Sequence, residues 1–490
     1  MYKKTNGKNC KKAPAAYSRT IIAMAAAVTI LCSGILQGCS GQEMTAYFNK
    51  GKEIAVDNIS DTQGTVDNTF DSQRAVDNTS EKQSPGNAPN NFSAENLVDD
   101  TGRAETENSR EHTVSSDAEH TASSDAEHAG AVETEQEDAE LIYTGPEVTL
   151  VMVGDILLHT PVAESGLQED GSYNFAAIFA NVKDEISAAD LALVNQEVII
   201  GGKDLGISGY PSFNAPYELG DALVNAGFDV ILHATNHTLD QGKKGVKNCL
   251  SFWKNNYPET AVLGINESQE AQNNNIYIYE QEGIRIAILN YTYGTNGIAL
   301  PSDMPYAVNL LEEEKVAADI VKARAQADFV VVCPHWGTEY QLTPSVEQTQ
   351  WTEFFAENGV DLVLGTHPHV IEPVEWITNE MGENETLVYY SLGNFVNWTA
   401  SSGEGIANRM VGGMAQVTIG KDENGQAFIV EYGVEPLVCH LSEGANGVTV
   451  YQLSDYTDEL ASENEIIKQD SAFSLEYCEN LCEEVWGEIW

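Results

Sequence analysis

The chain has 490 residues, with 25 Lys and Arg against 75 Asp and Glu, a formal net charge of −50 at pH 7. A field of that sign repels polyphosphate and anionic lipid headgroups, which excludes a nucleic-acid-binding protein. Any anionic substrate must be gripped by a local device such as a metal ion.

Residues 1–38 read as a lipoprotein signal peptide. Lys3, Lys4, Lys8, Lys11, Lys12 and Arg19 form a positive start, and no acidic residue precedes Cys39. The apolar run Ile21 to Leu36, 16 residues long, is short for a membrane-spanning helix. "LQGC" then resembles a bacterial lipobox, with Cys39 as the lipidated first residue of the mature chain. A diacylglyceryl group supplies two acyl chains, enough for stable anchoring. The expected location is the cell membrane, lipid-anchored, on its extracellular face. The alternative is an uncleaved signal anchor.

Residues 39–145 are polar, acidic and repetitive. "AVDNISDTQG", "TVDNTFDSQR" and "AVDNTSEKQS" repeat at ten residues, and "HTVSSDAEH" and "HTASSDAEH" at eight. Such periods are too short for a helical solenoid unit. Large apolar residues are too sparse for a core, so the segment reads as a disordered acidic tether. His112, His120 and His128 belong to the duplicated spacer, with a metal-binding tract as the competing reading.

Residues 146–440 alternate short β-branched runs with longer stretches of helical spacing. The strands expected are 148–153, 191–194, 229–234, 284–290, 329–333, 360–365 and 387–392. Several lack strict alternation, which points to burial on both faces and substantial parallel sheet. "NFAAIFANVKDEISAA" and "NLLEEEKVAADIVKARAQ" read as helices between them. The fold class is α/β. Residues 441–490 read as a helical, acidic C-terminal extension, in which Cys478 and Cys482 either pair or sit one turn apart as free thiols.

The polar residues cluster just after the strands. Gly154, Asp155 and His159 follow the first; Asn195 and Glu197 the second; Asn236, His237 and Asp240 the third. His335 and Glu339 follow 329–333, His367 and His369 follow 360–365, and Asn394 follows the last. Ligands of open α/β sheets bind outside the carboxyl ends of strands. So many polar groups at one edge are costly to bury unless they bind something. Pro368 disfavours a helical His367 and predicts an extended segment, in which His367 and His369 point the same way. The preceding glycine, Gly365, is expected to let the backbone turn off the sheet.

Imidazole combined with carboxylate and amide oxygen suits Zn²⁺, Mn²⁺ or Fe. Asp155, His159, Glu197, Asn236, His335, His367 and His369 are too many ligands for one tetrahedral ion, so a two-ion site is expected. His237 is the candidate general acid, with Asp240 orienting it. Asn195, Glu339, Asn394 and Arg409 are the candidate substrate contacts, and Glu375 a candidate support for a ligand histidine. Trp336 and Tyr340 are expected to pack around His335. No Gly-x-Ser-x-Gly elbow is present, which argues against a serine hydrolase.

In this order, "GDILLH", "NQE", "AGFDVILHATNHTLDQG", "CPHWGTEY", "GTHPHVIEPVE" and "YYSLGNFV" resemble the CapA family of poly-γ-glutamate (capsule) biosynthesis proteins. That family resembles the calcineurin-like metallophosphoesterases. The resemblance implies a four-layer α/β/β/α sandwich of metallophosphoesterase type and a part in making or exporting an anionic polymer. Asn236 and His237 match the superfamily's Gly-Asn-His with Thr235 for glycine, and His335 its isolated metal-binding histidine. His367 and His369 match its Gly-His-x-His, with glycine two residues before the first histidine. Two motifs depart. Asp155 and His159 are four apart where the superfamily has Asp-x-His, and Asn195 and Glu197 replace its Gly-Asp-x-x-Asp. Two functions follow: a metal-dependent phosphoesterase acting on an anionic polymer or phosphoester, or a non-catalytic accessory subunit of a membrane polymer synthase.

Overall fold

The structure, a computed structural model, describes residues 11–12, 143–382, 384–442 and 447–490. Apart from Lys11 and Lys12, the signal segment, Cys39 and the acidic repeats lie outside the described residues.

Two sheets form the frame. The larger runs β1 (Lys11–Lys12), β14 (Ala427–Leu441), β13 (Val411–Lys421), β2 (Glu147–Ile156), β3 (Leu191–Asn195), β4 (Val230–Leu232) and β5 (Ala261–Leu263). To it are added β12 (Asn394–Val396) on β2 and β15 (Val448–Gln452) on β14. The smaller runs β10 (Val374–Thr378), β11 (Glu385–Tyr389), β9 (Leu362–Leu364), β8 (Phe329–His335), β7 (Ile284–Thr292) and β6 (Tyr277–Gln281). Each has a parallel centre, β2 to β5 in one and β7, β8, β9 and β11 in the other. Antiparallel strands flank both centres.

The β7 sequence shows how the layers arise. Ile284, Ile286 and Ile288 face a core shared with the larger sheet. Ala287, Leu289 and Tyr291 face a second core with Val316, Ile320 and Phe355, which come from helices Glu313–Arg324 and Val346–Glu357. The strand is therefore apolar on both faces, as parallel strands covered on both sides are. Tyr389 ties the sheets together, its hydroxyl donating to the Gly433 carbonyl at 2.8 Å.

The crossovers β2–β3–β4–β5 advance in one direction. Helices between these strands, among them Tyr217–Ala226 and Gly242–Asn256, bury Leu219, Leu223, Val246 and Cys249 in the first of these cores. Two sheets with helices packed on them make a mixed α/β fold.

Three expectations change. The stretch 174–189 is two short helices, Ala176–Phe179 and Lys183–Ala188, not one. The β13–β14 pair carries no strand expectation, yet its eleven and fifteen residues form the longest strands. The C-terminal fifty residues are not wholly helical. They open with β15 on the larger sheet, and helix Leu475–Trp486 buries Leu481 and Trp486 in the common core. Cys478 and Cys482, one turn apart on that helix, are buried free thiols.

Candidate metal centre

The parallel strands deliver their last residues to one place. Asp155 is the penultimate residue of β2, Asn195 ends β3 and His335 ends β8. Glu197, Asn236, His237, His367 and His369 lie within five residues past β3, β4 and β9. Close backbone packing makes this possible. A Cβ on Gly154 would lie 1.9 Å from the Gly393 carbonyl oxygen, which accepts the Asp155 N–H at 3.0 Å.

At the centre, Asn195 Nδ2 donates to Asp155 Oδ1 at 2.8 Å, and Asn236 Oδ1 lies 3.1 Å from His335 Nε2. His369 Nδ1 stands 3.3 Å from Asp155 Oδ2, and His369 Nε2 stands 3.7 Å from Glu197 Oε1. His335 Nε2 is 3.8 Å from the same Glu197 oxygen. Three groups of side chains have ligand atoms within 4.8 Å of one another: Glu197, His335 and His367; Glu339, His367 and His369; Asp155, Glu197 and His369. Glu197, His367 and His369 are each shared by two of them.

The donor set fits divalent cations on grounds beyond proximity. Both carboxylate oxygens of Glu197, the amide oxygen of Asn195 and Nδ1 of His367 are buried without a hydrogen-bond partner. Such groups are expensive unless something else satisfies them. Burial and neighbouring histidines hold His335 and His367 well below the usual imidazole pKa, in the neutral form that ligates metals. Burial also acts to lower His369, but the Glu197 and Asp155 charges override it and push it up to about 9. Burial raises Glu197 well above the usual carboxyl range.

The loop carrying the paired histidines is not extended. His367 has φ 103° and His369 φ 60°, both left-handed. Each such residue costs about 1–3 kcal/mol and persists only where its surroundings overdetermine it. Here the His367 N–H donates to Asp155 Oδ2 at 3.1 Å, and the Pro368 carbonyl accepts from the Tyr340 N–H at 2.7 Å. The imidazoles still converge, with centroids 5.7 Å apart. Gly365 has no left-handed φ and is needed for space, since a Cβ would meet the Tyr390 oxygen at 2.1 Å.

His237 stands beside the cation groups, its Nε2 3.9 Å from Glu197 Oε1 and its Nδ1 2.7 Å from Asp240 Oδ2. Two clefts meet there, sharing Tyr210, His237 and Glu339. The larger, about 730 Å³, continues past His369 to Trp398 and Arg409; the smaller, about 400 Å³, passes Ser212, Asn296 and Ile298.

Other residues fall elsewhere than expected. His159 is in none of the three groups. It lines the larger cleft, edge-on to Phe213 at 5.0 Å, and burial lowers its pKa to about 4. Asn195 is fully buried against Asp155 and touches neither cleft. Asn394 does line the larger cleft, and it also turns its Oδ1 to His369 Nδ1 at 3.1 Å and donates to the carbonyls of His369 and Arg409, so it orients the histidine. Glu375 is exposed on β10, whereas Glu372 is buried, its Oε2 accepting from Gln348 Nε2 at 2.5 Å. Trp336 packs under helix Val346–Glu357, and Tyr340 lies at the cleft. Thr366, whose Oγ1 is 3.1 Å from His335 Nδ1, and Tyr293, 4.7 Å from the His367 ring, gave no sequence signal.

The family model for Bacterial capsule synthesis protein PGA_cap matches residues 149–399. The PGA biosynthesis protein CapA of Bacillus subtilis (strain 168) is 35% identical over 182 residues, 36% of this chain and 45% of that protein. The capsule biosynthesis protein CapA of Bacillus anthracis is 29% identical over 270 residues, 52% of this chain and 61% of that protein. The chain spans about half the length of these curated relatives. Among solved structures, the Haemophilus influenzae NAD nucleotidase (NadN) is 15% identical, with TM-score 0.38 over 65% of this chain and 61% of that one. The matched region runs from β2 through the loop after β12, carries every residue of the three cation groups and covers just over half of the sequence: the chain belongs to the bacterial capsule synthesis protein family PGA_cap.

Proposed function

We propose that this is a metal-dependent phosphoesterase-type protein, anchored through lipidated Cys39 on the extracellular face of the membrane. Its part is the biosynthesis or export of poly-γ-glutamate or another anionic envelope polymer. The observation that carries the metal reading is Glu197, whose two buried oxygens lack any donor while three histidines surround it. Asp155, Glu197, Asn236, His335, His367, His369 and Glu339 are the residues that would hold one or two ions of Mn²⁺, Zn²⁺ or Fe. Bound there, divalent ions supply Lewis acidity toward a phosphoryl oxygen.

The chain's own groups do the rest. Asp240 holds His237 through Nδ1, so Nε2, which faces Glu197, is the atom through which a proton is transferred. Asn394 fixes the His369 ring. The two clefts give an elongated substrate room on either side of His237. The full chain, assayed with Mn²⁺ or Zn²⁺ on a model phosphodiester beside His237→Ala, tests this. Equal rates for the two proteins remove the catalytic claim, and metal content tests the ligands independently. Acyl labelling of cells, compared with Cys39→Ala, tests the anchor.

A second reading is a non-catalytic accessory subunit that guides polymer to a membrane synthase. It is favoured by Asn195, whose amide donates to Asp155 where the related superfamily has carboxylate motifs. Co-purification with synthase components, without turnover, supports it.

A further inference from the structure

The described residues include three arginines: Arg285, Arg324 and Arg409. With 75 acidic residues in the chain, a carboxylate partner is easy to find. Arg285 pairs with Asp328 at 2.9 Å and Arg324 with Asp361 at 2.5 Å. Arg409 pairs with none among the described residues. Its guanidinium carbon sits 3.6 Å above the Tyr340 ring, and Nη1 donates to Thr399 Oγ1 at 3.3 Å. Its Nε is buried without a partner. Among the described residues it is the only Lys or Arg lining either cleft.

This is a cation held at the cleft with no carboxylate of the described residues in an ion pair with it, Glu339 lining the same cleft. The ring below fixes the plane of the guanidinium and favours its charge. Thr399 takes one Nη1 N–H and Nε is buried, which leaves the remaining Nη N–H groups of the planar fork for an oxyanion. The position is tied to the cation groups: the Tyr340 ring lies 5.9 Å from the His369 ring, and Asn394 bonds the carbonyls of both His369 and Arg409. One guanidinium facing the cleft compensates one charge.

We infer that Arg409 is a specificity-determining residue that binds a singly charged oxyanion of the substrate, a carboxylate or a phosphodiester, next to the group held at the cation centre. The inference rests on the cleft being the substrate site. It adds that the substrate carries a second anionic group, as a chain with one charge per unit does.

The test is calorimetric titration of the full chain, without turnover. The probes are a γ-linked glutamate oligomer, its α-carboxamide counterpart and a glycerol phosphodiester oligomer. The expected wild-type preference for a charged oligomer over the carboxamide is about tenfold or more, the worth of a hydrogen bond to a charged group. Arg409→Gln brings that ratio near one, and Arg409→Lys, lacking the fork, restores only part of it. Whether the carboxylate or the phosphodiester shows the Arg409-dependent preference identifies the anion.

A wild-type protein that prefers neither, or a preference unchanged in Arg409→Gln, overturns the inference. Thermal unfolding reads whether each variant folds, and the wild-type comparison needs no variant. Metal content of the same samples separates the two claims. Oxyanion preference without metal sinks the metal reading alone, and metal with hydrolysis but no preference sinks this one alone.

Discussion

Asp240 Oδ2 lies 2.7 Å from His237 Nδ1, with both side chains almost wholly buried. The pair fixes which imidazole nitrogen faces the cation groups, because a carboxylate at Nδ1 demands the proton there. Loss of the imidazole in His237→Ala is expected to cost about 10²–10⁴ in turnover, the range of general acid–base catalysis. Asp240→Asn keeps the shape but permits the other tautomer, and is expected to cost about 10–100-fold. Steady-state rates on a model phosphodiester check both. An Asp240→Asn protein as fast as wild type means that the pair only packs.

Much of this site was legible because parallel strands buried on both faces leave a plain mark. Phe329 to Cys333 is a continuous apolar run, and whatever follows such a run stands at the ligand-binding edge. What was not legible depended on partners distant in sequence. His159 follows β2 as closely as a ligand does, but Pro161 starts a helix there and the ring turns to Phe213. Pro368 suggested an extended His367, yet the Asp155 carboxylate and the Tyr340 N–H hold the loop left-handed. In β14, Pro436 argues against a strand by local rules. It is tolerated between the stretches paired with β1 and β15, where an outward N–H has no ladder partner.

Glu197 makes opposite predictions for the metal-free and metal-loaded protein. Without a cation, its two partnerless buried oxygens are a cost of about 1–3 kcal/mol each. Glu197→Gln is therefore expected to be more stable than wild type in chelator. With Mn²⁺ or Zn²⁺ at about 100 times Kd, wild type gains about 2.7 kcal/mol and the variant little. Thermal melts with and without metal check the crossing. A Gln variant less stable than wild type in chelator shows that the oxygens are satisfied.

Glu372 predicts a pH dependence away from the cation groups. Burial pushes its carboxyl up to about 8, against the Gln348 bond that acts to lower it. The unfolded carboxyl titrates near 4.3. The folded state thus holds the proton more tightly, and its stabilising contribution is complete below the unfolded value. It is lost as pH rises toward about 8. Glu372→Gln is expected to match wild type near pH 4 and exceed it by a few kcal/mol near pH 8. Denaturant midpoints in chelator at several pH values read the difference, and parallel curves for the two proteins exclude the linkage.

Gly154 links packing to the site most directly. A methyl there would lie 1.9 Å from the Gly393 oxygen and 3.1 Å from that of Leu392, both backbone atoms that cannot swing aside. Gly154→Ala must push the turn before β12 away from β2. That strains the Asp155 N–H bond to Gly393 and shifts Asn394, which orients His369. Overpacking of this kind costs about 1–3 kcal/mol, and a weaker metal affinity should accompany it because Asp155 and His369 move together. Gly294→Ala is the control, since its methyl meets nothing within 4 Å at a half-buried position, and a surface change of that sort stays within about 0.5 kcal/mol. Equal unfolding midpoints and equal metal affinities for the two alanine variants would mean that the close approach of β2 and the β12 turn does not position the centre.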